Sequence, residues 1–441
     1  MTKLLAAFAC AFAATGLAQV GNYLGPGVMS NGAGTIGQRS GSAVDLRFFA
    51  DVAGFYDTGY TPYEVNSKGQ LVTLNGLYGE QIEFGAYGTH TWRDALVGLN
   101  FTGSLYHFDN FSQADGSYLN LTAGYTWQKS RHWVFDLRGL GGLTTLPYSF
   151  GYAGYYEPTA VAAQPTSVLF DNRFYFVQSG ADMTYVQSAR TSYTAGADGF
   201  LSRYQGPGLA GMEGFDARGT IQHRLSKTKT VGFTYTHFDM NFTATFGHSD
   251  TDMGEAFFAT SLGKHWTFRI MAGTFHADVS GVHQIAINPV IAALLGTSAG
   301  YQTFYRSDFY PAGNVNLEAK LKNSSLGFNY LETVVPGNGI YLTSRQTSGT
   351  AYYSYTGIKK WNLGISGGYY SLNTIGQGFA PYSGFSGGAG FTYGLSRMFH
   401  IVGRYDYRRQ EIVLANGFRN NSYRASLGLA FSPGDVPLSL W

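Results

Sequence analysis

The sequence predicts an all-β fold: a closed, antiparallel, up-and-down barrel of about 18 strands that crosses a membrane. Three observations carry the prediction. Some 400 residues alternate apolar and polar side chains with a period of two. Turns break the alternation every dozen or so residues, and short basic turns alternate with longer polar ones. No stretch after the first 18 residues is apolar enough to form a membrane helix, which needs roughly 20 such residues in a row.

The alternation is clearest between Tyr118 and Gln128. Leu119, Leu121, Ala123, Tyr125 and Trp127 fall on one face, and Asn120, Thr122, Gly124, Thr126 and Gln128 on the other, because successive strand side chains point to opposite sides. Val315, Leu317, Ala319 and Leu321 oppose Asn316, Glu318, Lys320 and Lys322 in the same way. Tyr423, Ala425, Leu427, Leu429 and Phe431 oppose Ser422, Arg424, Ser426, Gly428 and Ala430. Near the start, Val44, Leu46, Phe48 and Ala50 oppose Asp45, Arg47, Phe49 and Asp51. The segment 173–188 alternates less cleanly and is placed by its neighbours.

Short turns fall at Arg93-Asp94, Lys129-Ser130-Arg131, Ser188-Ala189-Arg190, Lys227-Thr228-Lys229, Gly263-Lys264-His265, Lys322-Asn323-Ser324, Lys359-Lys360 and Ser396-Arg397. Their centres are 36–38 residues apart, apart from two gaps of 59 and 60. That is the period of a hairpin array: two strands, one loop, one tight turn. Eight tight turns imply nine hairpins and 18 strands; sixteen result if the 173–205 hairpin is misread. An even strand number with short periplasmic turns and longer outer loops is the rule for bacterial single-chain barrels. Trp133, Trp266, Trp361 and Phe399 follow basic turns, and this recurrence reads as one interfacial aromatic girdle.

The 441 residues include 60 Gly, 33 Tyr and 33 Phe, and only 13% are charged, about half the ~25% of soluble proteins. A sheet with one face on lipid and one on water has this composition. The formal charge of +2 offers no basic surface for nucleic acid. Residues 1–18 read as a signal peptide, with Lys3 as the positive region, Leu4 to Ala14 as the apolar region, and Gly16-Leu17-Ala18 at the cleavage site. The single cysteine, Cys10, lies in this leader. It is read as a passenger, since Ala7-Phe8-Ala9 lacks the aliphatic residue of a lipoprotein site. The remainder then has no disulfide framework and no thiolate metal site. Residues 19–41 read as a flexible Gly- and Asn-rich segment, and 42–441 as one barrel domain.

On these residues the chain resembles bacterial outer-membrane β-barrel proteins over nearly all of its mature length. Its ending, SYRASLGLAFSPGDVPLSLW, resembles outer-membrane barrels of acidobacterial type. The resemblance implies the outer membrane of a Gram-negative-type bacterium, a surround of lipid and lipopolysaccharide, and a barrel-assembly machinery that reads an aromatic residue closing the last strand. Phe431 and Trp441 are the two candidates for that signal. Pro433 and Pro437 interrupt the strand before Trp441, because proline cannot donate to the ladder.

About 18 strands enclose an aqueous lumen. The charges expected to line it are Asp45, Arg47, Glu83, Asp136, Arg138, Asp216, Arg218, Arg224, Arg269, Glu318, Lys320, Arg404, Asp406, Arg408 and Arg424. Three pairs share the spacing D-x-R, which places both side chains on one face. Opposed charges can brace the wall through cross-strand pairs, or set a transverse field that orients solutes; bracing is favoured for most of them. The long loops 146–172 and 278–310, third and sixth of nine, are too apolar for plain solvated loops, and either narrow the lumen or cap the barrel outside. Asp250, Asp252 and Glu255 form an acidic cluster expected in another outer loop. Their spacing does not match an EF-hand, so solvation is favoured over cation bridging to lipopolysaccharide. No H-E-x-x-H, G-x-S-x-G or phosphate loop occurs, so neither an enzyme nor a cofactor is expected.

Three functional readings follow. The first is a porin-like channel for passive diffusion of small hydrophilic solutes. The second is an export barrel for an exopolysaccharide or other polymer, and the third a barrel sealed by its loops with a structural or adhesive role. The sequence leaves open the solute and whether barrels associate into homo-oligomers.

Overall fold

The computed structural model describes residues 45–58, 63–65, 71–73, 76–109, 115–144, 173–205, 209–286, 299–335, 341–379, 381–396, 398–412 and 418–431. The predicted leader, the segment 19–41, the loop 146–172, Arg397 and Trp441 lie outside the described residues.

Twenty strands follow one another: β1 Asp45–Asp57, β2 Tyr63–Val65, β3 Leu71–Thr73, β4 Leu77–Thr91, β5 Ala95–Phe108, β6 Gly116–Trp127, β7 Trp133–Thr144, β8 Phe174–Val186, β9 Thr191–Tyr204, β10 Gly211–Arg224, β11 Lys229–Thr243, β12 Gly247–Leu262, β13 Trp266–Ala286, β14 Ala299–Lys320, β15 Ser324–Val335, β16 Ser344–Tyr355, β17 Trp361–Thr374, β18 Tyr382–Gly394, β19 Phe399–Ile412 and β20 Phe418–Phe431. Eighteen form one antiparallel sheet in chain order, and β1 closes it by pairing with both β4 and β20. The short β2–β3 hairpin lies in the first outer connection. Closure gives every wall strand two partners, which a sheet in hydrocarbon requires because no water is there to satisfy an edge. Among the described residues there is no helix.

All eight predicted tight turns join consecutive wall strands at one end of the barrel. Four share one device. The Ser130 hydroxyl accepts from the His132 and Trp133 amides, and Ser188 from Arg190 and Thr191. Likewise Ser226 accepts from Thr228 and Lys229, and Ser396 from Met398 and Phe399. A serine that caps two amides in this way fixes a tight turn. Beside the tight turns Trp133 packs on Tyr185 at 4.8 Å, Trp361 on Tyr393 at 4.9 Å, and Phe399 on Phe431 at 5.3 Å. Phe431 thereby ends the last wall strand against both of its neighbours.

The register sends the alternating apolar residues outward. Val52, Leu121, Leu137, Ile221, Ile365 and Leu427 are all exposed, and they form a belt around the barrel. At its loop end the belt meets tyrosines, with Tyr56 packed between Tyr78 at 4.9 Å and Tyr423 at 6.1 Å.

Three expectations need correction. Most of the 278–310 segment is not a loop: β13 runs to Ala286 and β14 begins at Ala299, and the two pair along their full length. β14 meets β15 only over Gly313–Lys320, so the β13–β14 ribbon rises beyond the wall. Its turn, 287–298, lies outside the described residues. The acidic cluster is not in a loop either. Asp250, Asp252 and Glu255 all belong to β12, and the β11–β12 connection is only the tight turn 244–246. Finally, the inner face is not polar throughout, since Phe176, Phe200 and Phe275 are buried inside the barrel.

Candidate functional site

The inner wall is the candidate site. At mid-height the wall of β7–β10 holds an ion network built from identical tripeptides on neighbouring strands, Gly180-Ala181-Asp182 on β8 and Gly196-Ala197-Asp198 on β9. The antiparallel register pairs Gly180 with Asp198, Ala181 with Ala197, and Asp182 with Gly196. Each aspartate therefore lies across the strand gap from a glycine. A Cβ at Gly180 would stand 1.8 Å from Asp198 Oδ1, and one at Gly196 would stand 1.6 Å from Asp182 Oδ1. The missing side chains make the room that the carboxylates occupy.

Two arginines converge on this pair from either side. Arg138 of β7 donates from Nε to Asp198 at 2.8 Å, and its terminal nitrogens pair with Asp182 and Asp198. Arg218 of β10 donates to Asp198 at 2.6 Å, Asp182 at 2.7 Å and Asp216 at 3.1 Å. Asp136 stands apart from its D-x-R partner and accepts from the Thr126 hydroxyl. Asp198 and Arg138 are 0% and 10% exposed, so the cluster is held largely away from water. Planar guanidinium forks suit such bidentate pairing. This is bracing, but within this network Asp216 and Arg218 pair inside their own D-x-R, whereas Asp136 and Arg138 do not. Four aspartates against two arginines leave this sector acidic.

The sector of β19–β20 has the opposite sign, with Arg404, Arg408 and Arg424 against Asp406. Arg404 grips Asp406 through two nitrogens at 2.6 and 2.8 Å. Arg424 lies 4.0 Å over the Phe55 ring, donates to Gln81, and is linked through it to Glu83. Glu83 stands directly opposite the buried Asp51. Arg269 lies 5.1 Å over Phe257, on the inner face that it shares with the buried Glu255. Arg224, Glu318 and Lys320 occupy inward positions of β10 and β14 close to the short turns. Asp45 and Arg47 share the register face of Asp51 near the start of β1. Asp51, Asp57, Asp182 and Asp198 are inward acids absent from the expected set.

Higher up, the same face turns apolar. Phe176, Phe200, Met240, Phe275, Ala277 and Val279 are buried in one cluster inside the barrel. Two outer connections join it. Leu342 of the β15–β16 connection and Ile375 of the β17–β18 connection pack into the cluster. They are tied together by the Leu342 amide donating to Gln377 Oε1 at 2.7 Å and the Ile375 amide donating to the Thr343 carbonyl at 2.9 Å. Gly376 takes φ +87° beside the Phe304 ring, where a Cβ would stand 2.2 Å from it; only glycine fits both the backbone and the space. Around the rest of the mouth, Phe55 packs edge-on against Phe108 at 5.1 Å, and Leu331, Leu372 and Tyr382 form a third buried group.

No family model matches this sequence, and no curated protein matches it. Solved structures resemble it at low identity. OccK2 (OpdF) of Pseudomonas aeruginosa is 10% identical over 88% of this chain and 98% of its own, with a TM-score of 0.43. A BenF-like porin from Pseudomonas fluorescens Pf-5 is 11% identical over 89% and 100%, also at 0.43. The ferric citrate transporter FecA is 11% identical over 86% of this chain and 62% of its own, at 0.39.

Proposed function

We propose that this protein is an outer-membrane, porin-like channel for passive diffusion of small hydrophilic solutes. One observation carries the reading: the closed wall has opposite chemistry on its two faces. Exposed aliphatic side chains surround it, while ion-paired aspartates and arginines line its middle. An exposed belt of this kind is stable only against acyl chains, and rings of about 16–18 strands enclose a water-filled bore. Lipid and lipopolysaccharide then surround the belt, the two aromatic zones sit at the headgroups, and Phe431 is the residue offered to the assembly machinery.

The wall changes sign between β7–β10 and β19–β20, so a permeating solute meets a transverse field. The apolar mouth makes the pore narrow at its outer end. The same buried mouth favours one rival, a barrel sealed by its loops. Planar-bilayer recording separates the two. The channel reading expects discrete conductance steps from the purified wild-type barrel. Steps that appear only after Leu342 and Ile375 are replaced by glycine would support the sealed barrel, and no steps from either form would defeat the channel.

A further inference from the structure

On the outside of the wall, immediately above the apolar belt, side chains of three strands converge. The register sets His237 of β11 directly opposite Asp252 of β12, and Asp252 directly opposite His276 of β13. One step further from the belt it sets Asp239, Asp250 and Asp278 abreast on the same three strands. We propose that His237, Asp250 and Asp252 form a divalent-metal site of mixed nitrogen and oxygen donors, with zinc as its best ion.

Geometry favours a metal here. His237 Nδ1 lies 3.0 Å from Asp252 Oδ1 and 3.4 Å from Asp250 Oδ1, and one donor atom from each residue lies within 4.8 Å of the others. Donors on a tetrahedral zinc bonded at 2.0–2.2 Å stand about 3.3 Å apart. Small side-chain rotations therefore suffice to close the three on one ion. A separate feature also points to a ligand. Asp250 Oδ1 has no hydrogen-bond partner and is itself out of contact with solvent, although the Asp250 side chain as a whole is 45% exposed. Tyr235 donates to Asp252, which fixes that carboxylate toward the imidazole as an outer-shell partner would.

Charge adds a second reason. Three carboxylates directly abreast repel one another, and no Lys or Arg stands on this face of β11 above Lys229, of β12, or of β13 up to Ser280. A bound cation supplies the missing positive charge and ties β11 to β12 at the foot of the β13–β14 ribbon. An imidazole donor favours zinc and its transition-metal neighbours over magnesium and calcium, which prefer oxygen alone. The face is outside the barrel, so the site is separate from the permeation path.

The test is calorimetric titration of zinc into the EDTA-treated barrel in detergent, with heat-modifiable gel migration as the check on folding. Saturable binding of one zinc per barrel is expected, with affinity lowered more than about tenfold by His237→Ala, Asp250→Asn or Asp252→Asn. Cobalt bound to the wild-type barrel gives a second readout that needs no variant: a visible absorption band of an N/O-ligated ion, displaced by zinc and not by equimolar magnesium. Absence of saturable zinc binding would overturn the proposal. So would unchanged affinity in folded variants, or magnesium competing as well as zinc.

Discussion

The middle and the mouth of the inner wall lie on the same strands and the same face, yet they are held together in different ways. On β8 and β9 the inward positions pass from Asp182 and Asp198 to Phe176 and Phe200 within six residues. On β13 they pass from Arg269 to Phe275, Ala277 and Val279. The middle is an ion network whose energy depends on complete pairing. The mouth is a dry cluster whose energy depends on filled volume. A period of two decides which way a side chain points; it does not decide how far up the wall it stands, and depth sets which chemistry is used.

Substitutions sharpen this contrast. The largest effect is expected for Arg138→Ala, which removes half of the guanidinium charge facing the partly buried Asp182 and the buried Asp198. Stripping one partner from a buried ion cluster costs about 3–5 kcal/mol. Urea unfolding in lipid vesicles measures the loss, and bilayer reversal potentials should shift toward cation preference. Phe275→Ala should cost about 3 kcal/mol by opening a cavity in the mouth and leave the reversal potential unchanged. If both variants shift the reversal potential alike, the division between middle and mouth fails. Gly180→Ala should cost roughly 2 kcal/mol, because its Cβ meets the Asp198 carboxylate and overpacking forces that group away. Gly139→Ala, where a Cβ meets nothing within 4 Å, is the neutral control in the same assay. Ser226→Ala should be the mildest, about 1 kcal/mol for the two amide hydrogen bonds that shape its turn.

Much of the wall was legible in the sequence. The alternation at 118–128 and 422–431 gave the correct outward set, and the spacing of the basic turns gave 18 strands. Turn chemistry is local, and a strand's two faces are fixed by its own residues. The ion network was less legible because its partners are distant in sequence: Arg138 reaches Asp198 across two strand gaps. A signal did exist, the repeated Gly-Ala-Asp at 180–182 and 196–198, but its meaning depends on a register that places each glycine opposite an aspartate. The acidic cluster was misplaced for a similar reason. A run of polar residues suits a loop, but β11–β13 continue above the belt, where both faces can be polar and alternation no longer separates strand from loop. The apolar mouth is the converse case, in which inward apolar residues break the pattern and pack on one another and on Leu342 and Ile375, which are distant in sequence.

Below the mouth, the proposed channel sets the outward face of its wall against acyl chains and the inward face against water. Single cysteines placed one at a time from Leu119 to Gly124 on β6, in a chain lacking residues 1–18 and therefore Cys10, can carry an environment-sensitive fluorophore in reconstituted vesicles. Quenching by spin-labelled lipid should be strong at 119, 121 and 123 and weak at 120, 122 and 124, and an aqueous quencher should give the opposite order. Equal quenching at all six positions, or lipid quenching at the even ones, would contradict the claim.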